Sequence, residues 1–229
     1  MKKLMMITAM MVVTMSANAQ FEPGTFSIQP KIGIGLSKVS NMPPLSLGTI
    51  GEKQFELDRT LYPGVLIGAE AEYQIAKPFS LAAGINFSTQ GCQWEDGDVK
   101  VGAEKLEMKD TKIELGYINV PVVANLYLFK GFAIKTGVQF GFLVSAKYKS
   151  EINAKIGDVQ MNTKFDEDIK DGCNKFDIAI PVGVSYQVPT IPIVIDARAN
   201  IGLKNISKEA DESVKNQVFQ LTVGYKFKL

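Results

Sequence analysis

Histidine is absent from this chain of 229 residues. Histidine is the commonest general base at neutral pH, so its absence excludes Ser-His and Cys-His nucleophile arrangements. A carboxylate pair could still carry out acid–base chemistry, and Glu70 and Glu72 share one face of a predicted strand. We interpret these two carboxylates as interior structural groups. The sequence therefore predicts a protein that is not an enzyme and has no catalytic residues.

Cysteine is scarce, and neither sign of charge is in excess. The chain holds 25 basic and 24 acidic residues, so nothing points to nucleic acid. Cys92 and Cys173, the two cysteines, are too few for a disulfide-dense scaffold. Both fall in predicted long loops, where a bridge and free thiols are equally consistent with the sequence. The carboxylates of Asp166, Asp168 and Asp171 do not have the spacing of the ligands in an EF-hand calcium loop. We therefore expect no metal and no cofactor.

Long apolar runs are missing as well, except at the N-terminus. There, two lysines precede an uncharged run through Met15, and an Ala-Asn-Ala sequence closes the segment. The run holds roughly 12 residues, whereas a spanning helix needs about 20. We therefore predict a Sec-type signal peptide over residues 1–19, cleaved between Ala19 and Gln20, and one mature domain over 20–229.

Apolar and polar residues alternate along most of the mature chain. This pattern is typical of strands that have one face in lipid or in a hydrophobic core. Eight stretches show this pattern, at 26–37, 65–74, 80–90, 113–129, 132–148, 176–187, 191–204 and 218–229. Connections after the even-numbered stretches are short and those after the odd-numbered stretches are long. This alternation is typical of an outer-membrane barrel. We predict an all-β, eight-stranded, antiparallel up-and-down transmembrane barrel with short periplasmic turns, long extracellular loops and both termini in the periplasm.

A soluble barrel of the lipocalin type is the alternative, with the apolar face turned inward. The polar faces of the predicted strands repeatedly carry small residues, such as Gly68, Gly183 and Gly224. Glycine weakens a solvated strand, but it fits a narrow interior. The small residues therefore favour the membrane barrel.

Charged residues on the polar faces are then expected to fill the interior, because eight strands leave room for little more than side chains. A buried charge needs a partner. We predict an ion-pair network in the lumen made of Lys31, Glu70, Glu72, Lys135, Asp177, Asp196, Arg198 and Lys226, with Lys204 as a further candidate.

Two features do not fit a regular barrel. Pro30, Pro121 and Pro181 fall within predicted strands, although proline removes a ladder hydrogen bond. In the fourth stretch the apolar residues also change parity at Tyr117. A β-bulge near Tyr117 would explain this change and a tolerated Pro121. Pro181 has no explanation from the sequence.

The order of several motifs resembles the PorT-like outer-membrane β-barrel family of the Bacteroidetes. The motifs are Tyr117-Ile118-Asn119-Val120-Pro121, then Ala197-Arg198 with Ile201-Gly202-Leu203, then Gly224-Tyr225-Lys226-Phe227. The resemblance covers almost the whole mature chain, but the chain has Ala199 where the family often has an aromatic, and it ends on Leu229. It implies location and fold, and very little about activity.

We therefore expect a non-enzymatic outer-membrane protein with a filled lumen and a structural or interaction role through its outer loops. A small transport pore or an accessory component of a protein-secretion machine is the alternative. Expected partners are outer-membrane lipid, the barrel-assembly machinery and a surface or secretion-system protein.

Overall fold

The computed structural model describes residues 22–42, 44–50, 53–101, 104–129, 131–157, 159–208, 210 and 212–229. The predicted signal peptide and its cleavage site between Ala19 and Gln20 lie outside the described residues. Within them, no helix is long and apolar enough to cross a membrane.

Strands make up almost all of the described chain. They are β1 (Phe26–Val39), β2 (Leu45–Ile50), β3 (Lys53–Leu57), β4 (Arg59–Thr60), β5 (Tyr62–Ala76), β6 (Phe79–Trp94), β7 (Gly97–Val101), β8 (Glu104–Phe129), β9 (Phe132–Ile156), β10 (Val159–Asp168), β11 (Phe176–Gln187), β12 (Ile193–Gly202), β13 (Asn216–Tyr225) and β14 (Phe227–Lys228). One turn of 3₁₀ helix, Lys170–Gly172, follows β10.

Eight of these strands close into a ring. The order is β1, β5, β6, β8, β9, β11, β12 and β13, and β13 pairs back with β1. Neighbouring strands are antiparallel, with Ile32 opposite Ile67 on one side of β1 and opposite Val223 on the other. The predicted eight-stranded, antiparallel up-and-down barrel is therefore confirmed. Phe26 and β14 lie at the end of the ring with the short connections, which we call the short-turn end. The opposite end is the loop end.

The two faces of the wall have opposite character. Large apolar side chains point outward and are exposed, for example Ile32 at 64%, Ile67 at 59% and Phe219 at 51%. Charged side chains point inward and are buried, with Arg198 only 3% exposed. A soluble barrel would have the reverse arrangement, because its apolar face must leave water. The outer wall is a surface for hydrocarbon.

At the loop end, a four-stranded sheet projects beyond the ring, and we call it the sheet extension. It consists of β7, the first part of β8, the last part of β9, and β10, in the order β7-β8-β9-β10. Most of these residues fall within the long loops that the sequence predicts. The alternation of Leu106 and Met108 with lysine and glutamate is the strand signal that was missed. A separate hairpin, β2–β3, lies in the first long connection.

The predicted bulge near Tyr117 is only partly right. The β8–β9 register does shift between Gly116 and Tyr117, but the extra residue is Val144 on β9. Leu115 and Tyr117 stay on the inner face of β8, where both are buried. The parity change in the sequence therefore marks the point where the interior itself becomes apolar.

The prolines occupy gaps in the pairing. Pairing between β6 and β8 is interrupted opposite Pro121, between Ala83–Val122 and Asn86–Asn119. Pairing between β11 and β9 is likewise interrupted at Pro181, between Ala179–Gln139 and Val182–Thr136. Each proline thus lies where one neighbouring strand requires no N–H donor. This explains Pro181, and it replaces the bulge as the explanation for Pro121.

Candidate functional site: the barrel interior

A five-residue ion cluster crosses the middle of the lumen. Arg198 Nη2 lies 3.1 Å from Glu70 Oε1 and 2.9 Å from Asp196 Oδ2. Lys135 contacts Asp196 and lies 3.6 Å from Glu70 Oε2. Lys31 pairs with Glu70. Glu70 therefore contacts all three cations of the cluster.

The backbone makes room for this cluster at one glycine. Gly183 on β11 lies between Lys135 on β9 and Arg198 on β12 in the sheet register. A Cβ added there would lie 2.4 Å from the carbonyl oxygen of Ala197 and 2.9 Å from Cα of Arg198. The missing side chain lets the two long cations extend inward across β11.

A second cluster lies closer to the short-turn end. Lys226 Nζ is 2.7 Å from Glu72 Oε2, and Ser80 donates to Glu72 Oε1 at 2.6 Å. Tyr127 also donates to Glu72 Oε1, while Lys226 donates to the Tyr127 hydroxyl at 3.1 Å. Asn125 joins by donating to Ser80 at 3.0 Å. Seven of the eight predicted network residues thus lie in two adjoining clusters.

Asp177 is the exception, because the structure places it outside both clusters. Among the described residues it forms no ion pair, and its carboxylate accepts from the backbone N–H of Ile178 at 2.7 Å. It lies near the start of β11, opposite Gly141, whereas Lys135 pairs with Gly183 further along the strand. The distance along β11 separates Asp177 from the cations. Lys204 is likewise outside the clusters, with its Nζ 5.0 Å from the centroid of the Phe176 ring.

Above the ion cluster lies a layer of amides and hydroxyls that the sequence did not indicate. Asn119 donates to Ser88 at 2.9 Å and to Asn86 at 3.2 Å, and Gln90 donates to Ser88 at 2.7 Å. Asn216 reaches Gln90 at 2.6 Å. Uncharged polar residues form the same alternating pattern whether their strand face meets water or a lumen, so no sequence signal distinguishes these residues.

A cavity of about 10 Å³ remains beside this layer, lined by Asn119, Gln139, Asp177, Asn200 and other interior residues. That space suits a single water molecule. Side chains therefore fill the barrel at this level.

An apolar cluster closes the interior at the loop end. Its buried members are Val39, Leu57, Cys92, Trp94, Leu115, Tyr117, Leu143, Ala146, Ile206 and Val214. They come from ring strands and from the connections between them, so these connections fold over the mouth of the barrel. Ile113, Leu115 and Tyr117 alternate like a lipid-facing strand in the sequence, which is why the sequence could not distinguish an apolar lumen end from a lipid face.

Both cysteines lie at this apolar cluster, Cys92 as one of its buried members and Cys173 packed against it, and no disulfide bond joins the two. Cys92 lies on β6 beyond Phe87, the last large apolar side chain exposed on the outer face of that strand. Burial raises the pKa of the Cys92 thiol to about 12, so this thiol stays protonated and unreactive at neutral pH.

Metal ligands are not grouped anywhere in the part of the chain that the structure describes. Each carboxylate of the two clusters is held by cations and hydrogen-bond donors of the chain itself. A closed ring with lipid-facing apolar residues and a filled polar interior defines a transmembrane β-barrel protein.

The chain belongs to the outer membrane protein beta-barrel domain family, whose model matches residues 18–208. This membership places the protein in the outer membrane. No curated protein matches the chain by sequence.

Several solved structures are similar to this chain. Neisserial surface protein A is 13% identical with a TM-score of 0.43, over 88% of this chain and 97% of that one. Ail, the attachment invasion locus protein of Yersinia pestis, is 16% identical with a TM-score of 0.43, over 90% and 99% of the two chains. OprG from Pseudomonas aeruginosa is 10% identical with a TM-score of 0.36, over 92% and 99%.

Proposed function

We propose that this protein is a non-enzymatic, filled barrel of the outer membrane that binds a partner through its sheet extension. In this proposal the loop end faces outward and both termini are periplasmic. The predicted signal peptide, the role of the barrel-assembly machinery and the PorT-like resemblance belong to the same proposal. They are supported by the N-terminal residue pattern and by the order of motifs along the strands.

The observation that carries the proposal is the amphipathic character of the sheet extension. Across its four strands, Met161 lies opposite Ala154, Ala154 opposite Leu106, and Leu106 opposite Val99. Directly opposite residues in antiparallel strands share a face. These four side chains therefore form an apolar row, and the next row along is Gln160, Lys155, Lys105 and Lys100 on the other face.

The apolar row becomes more exposed toward one edge. Val99 is 8% exposed, whereas Met161 on β10 is 54% exposed. Every residue of β10 is exposed, and within the described residues β10 pairs only with β9. An exposed strand edge with an adjoining apolar face is a surface to which an extended segment of another protein can add. A protein partner at the cell surface or in a secretion system fits this surface.

Variants of β10 test the partner-binding role. Met161→Lys with Phe165→Lys places two charges on the apolar face and is expected to reduce capture of the partner from detergent-extracted outer membranes by at least about tenfold. Gln160→Lys with Asn162→Lys, on the opposite face of the same strand, is the matched control and is expected to capture it normally. Equal capture by both variants would show that the apolar face is not the binding surface.

A conductance measurement tests the filled barrel against the small transport pore. Purified protein in planar bilayers is expected to give no steady conductance, because paired side chains occupy the middle of the lumen and the apolar cluster covers its mouth. Insertion is verified independently by protease protection of the barrel in vesicles. Stable open channels in the inserted protein would favour the pore.

A further inference from the structure

A recess in the barrel wall opens near the loop end between β1 and β4. The β1–β5 pairing ends at Ser37 and Tyr62. Beyond that point β1 stays paired with β13 as far as Val39, whereas β4 pairs with β6. The two sides of the wall therefore separate, and the gap holds a cavity of about 630 Å³. This volume lies within the range of small-molecule sites.

The lining of the recess is basic and polar. Lys38 and Arg59 line it, together with Asp58, Gln217, Leu61 and, at its buried end, Cys92. Gln217 lies opposite Lys38 in the β1–β13 register. The lining therefore holds two cations and one carboxylate, a net positive charge suited to an anionic group.

These two cations differ from those in the lumen. Lys31, Lys135, Arg198 and Lys226 each contact a carboxylate. Among the residues that the structure describes, neither Lys38 nor Arg59 has a carboxylate partner within ion-pair distance. Arg59 donates through Nη1 to the carbonyl oxygen of Val39 at 3.2 Å, which holds its guanidinium at the wall of the recess.

The position of the recess in the wall indicates which kind of molecule would bring an anionic group to it. Leu36, two residues before Lys38 on the outer face of β1, is 42% exposed, and Leu61 in the lining is 46% exposed. The recess thus begins where the apolar belt ends. Basic pockets at this level of a membrane protein bind lipid headgroups, and a planar guanidinium matches phosphate oxygens bidentately.

We propose that this recess binds the phosphate-bearing headgroup of an outer-membrane lipid. Lys38 and Arg59 contact the phosphate, Gln217 hydrogen-bonds the polar headgroup, and Leu36 and Leu61 contact the first part of the acyl region. This site is separate from the sheet extension and from the lumen. In the orientation proposed above, the lipid belongs to the outer leaflet.

Native mass spectrometry of the detergent-purified protein tests the site, with bis-phosphorylated lipid A as the probe. Lys38→Gln with Arg59→Gln is expected to weaken binding by about tenfold or more, because each of the two cations near an anionic headgroup contributes about fivefold. Lys38→Arg with Arg59→Lys keeps both charges and is expected to restore most of the binding. Heat-modified migration on gels confirms that each variant is folded.

The matched control removes two cations elsewhere. Lys155 and Lys175 are exposed, on the sheet extension and before β11 respectively, and Lys155→Gln with Lys175→Gln is expected to leave binding unchanged. Lipid A without its phosphates is expected to bind no better to the wild type than to the Lys38→Gln, Arg59→Gln variant. Wild-type affinity in that variant, or complete displacement of the lipid by millimolar inorganic phosphate, would overturn the lipid site.

Discussion

Replacing Glu70 with glutamine is expected to destabilise the barrel by about 3–5 kcal/mol, the cost of breaking a buried ion pair. Glu70 contacts Lys31, Lys135 and Arg198. When Glu70 is replaced by the neutral glutamine, Asp196 is the one carboxylate that remains in the cluster to balance these three cations. Urea unfolding of the protein in lipid vesicles, followed by heat-modified gel migration, measures the loss.

Arg198→Met is expected to cost less than Glu70→Gln, although Arg198 also contacts two partners. The methionine removes one cation and leaves Lys31 and Lys135 with Glu70 and Asp196, a balanced set. Glu151→Gln, which removes an ion pair with Lys164 on the sheet extension, serves as the control and should leave the unfolding midpoint unchanged. If Arg198→Met were the more damaging variant, charge balance would not be what stabilises the cluster.

Placing arginine at Ile67 is expected to destabilise the barrel by about 2–4 kcal/mol, the cost of a cation near the bilayer midplane on the lipid face. Ile67 is 59% exposed on the outer face of β5 and lies about midway between Leu61, which directly precedes the strand, and Ile75 near its end. The exposure alone does not predict this cost, since an exposed apolar residue in water tolerates a charge.

Val159→Arg is the matched control for the lipid face. Val159 is 62% exposed, almost the same as Ile67, but it lies on β10 in the sheet extension. Its substitution is expected to leave the unfolding free energy in vesicles unchanged within about 0.5 kcal/mol, as for surface positions in general. Equal costs at the two positions would place both in the same solvent and contradict the lipid-facing wall.

The ring and its two faces were predictable because a period of two survives in every ring strand. Arg198 and Asp196 alternate with apolar neighbours, so their side of β12 could be assigned to the lumen before any contact was known. The pairing itself was not predictable. Whether Glu70 or Asp177 reaches Lys135 depends on strand register, which the alternation of one strand does not specify.

The loop end was harder to predict for a different physical reason. An apolar alternation such as Ile113, Leu115 and Tyr117 satisfies a lipid face and an apolar interior equally well. The lipid-headgroup recess had no sequence signal at all, because Lys38 and Arg59 come together only where β1 and β4 change partners. Long-range pairing creates that gap.

The contacts between early and late strands also bear on how unfinished copies of the chain are recognised. Glu72 is translated long before Lys226, and Glu70 long before Arg198, yet each pair meets across the barrel. A polypeptide interrupted before its last strand would hold an uncompensated glutamate and an open seam at β1. Because an unpaired carboxylate is costly in the bilayer, such a product is expected to remain accessible to proteases, whereas complete copies are expected to become resistant.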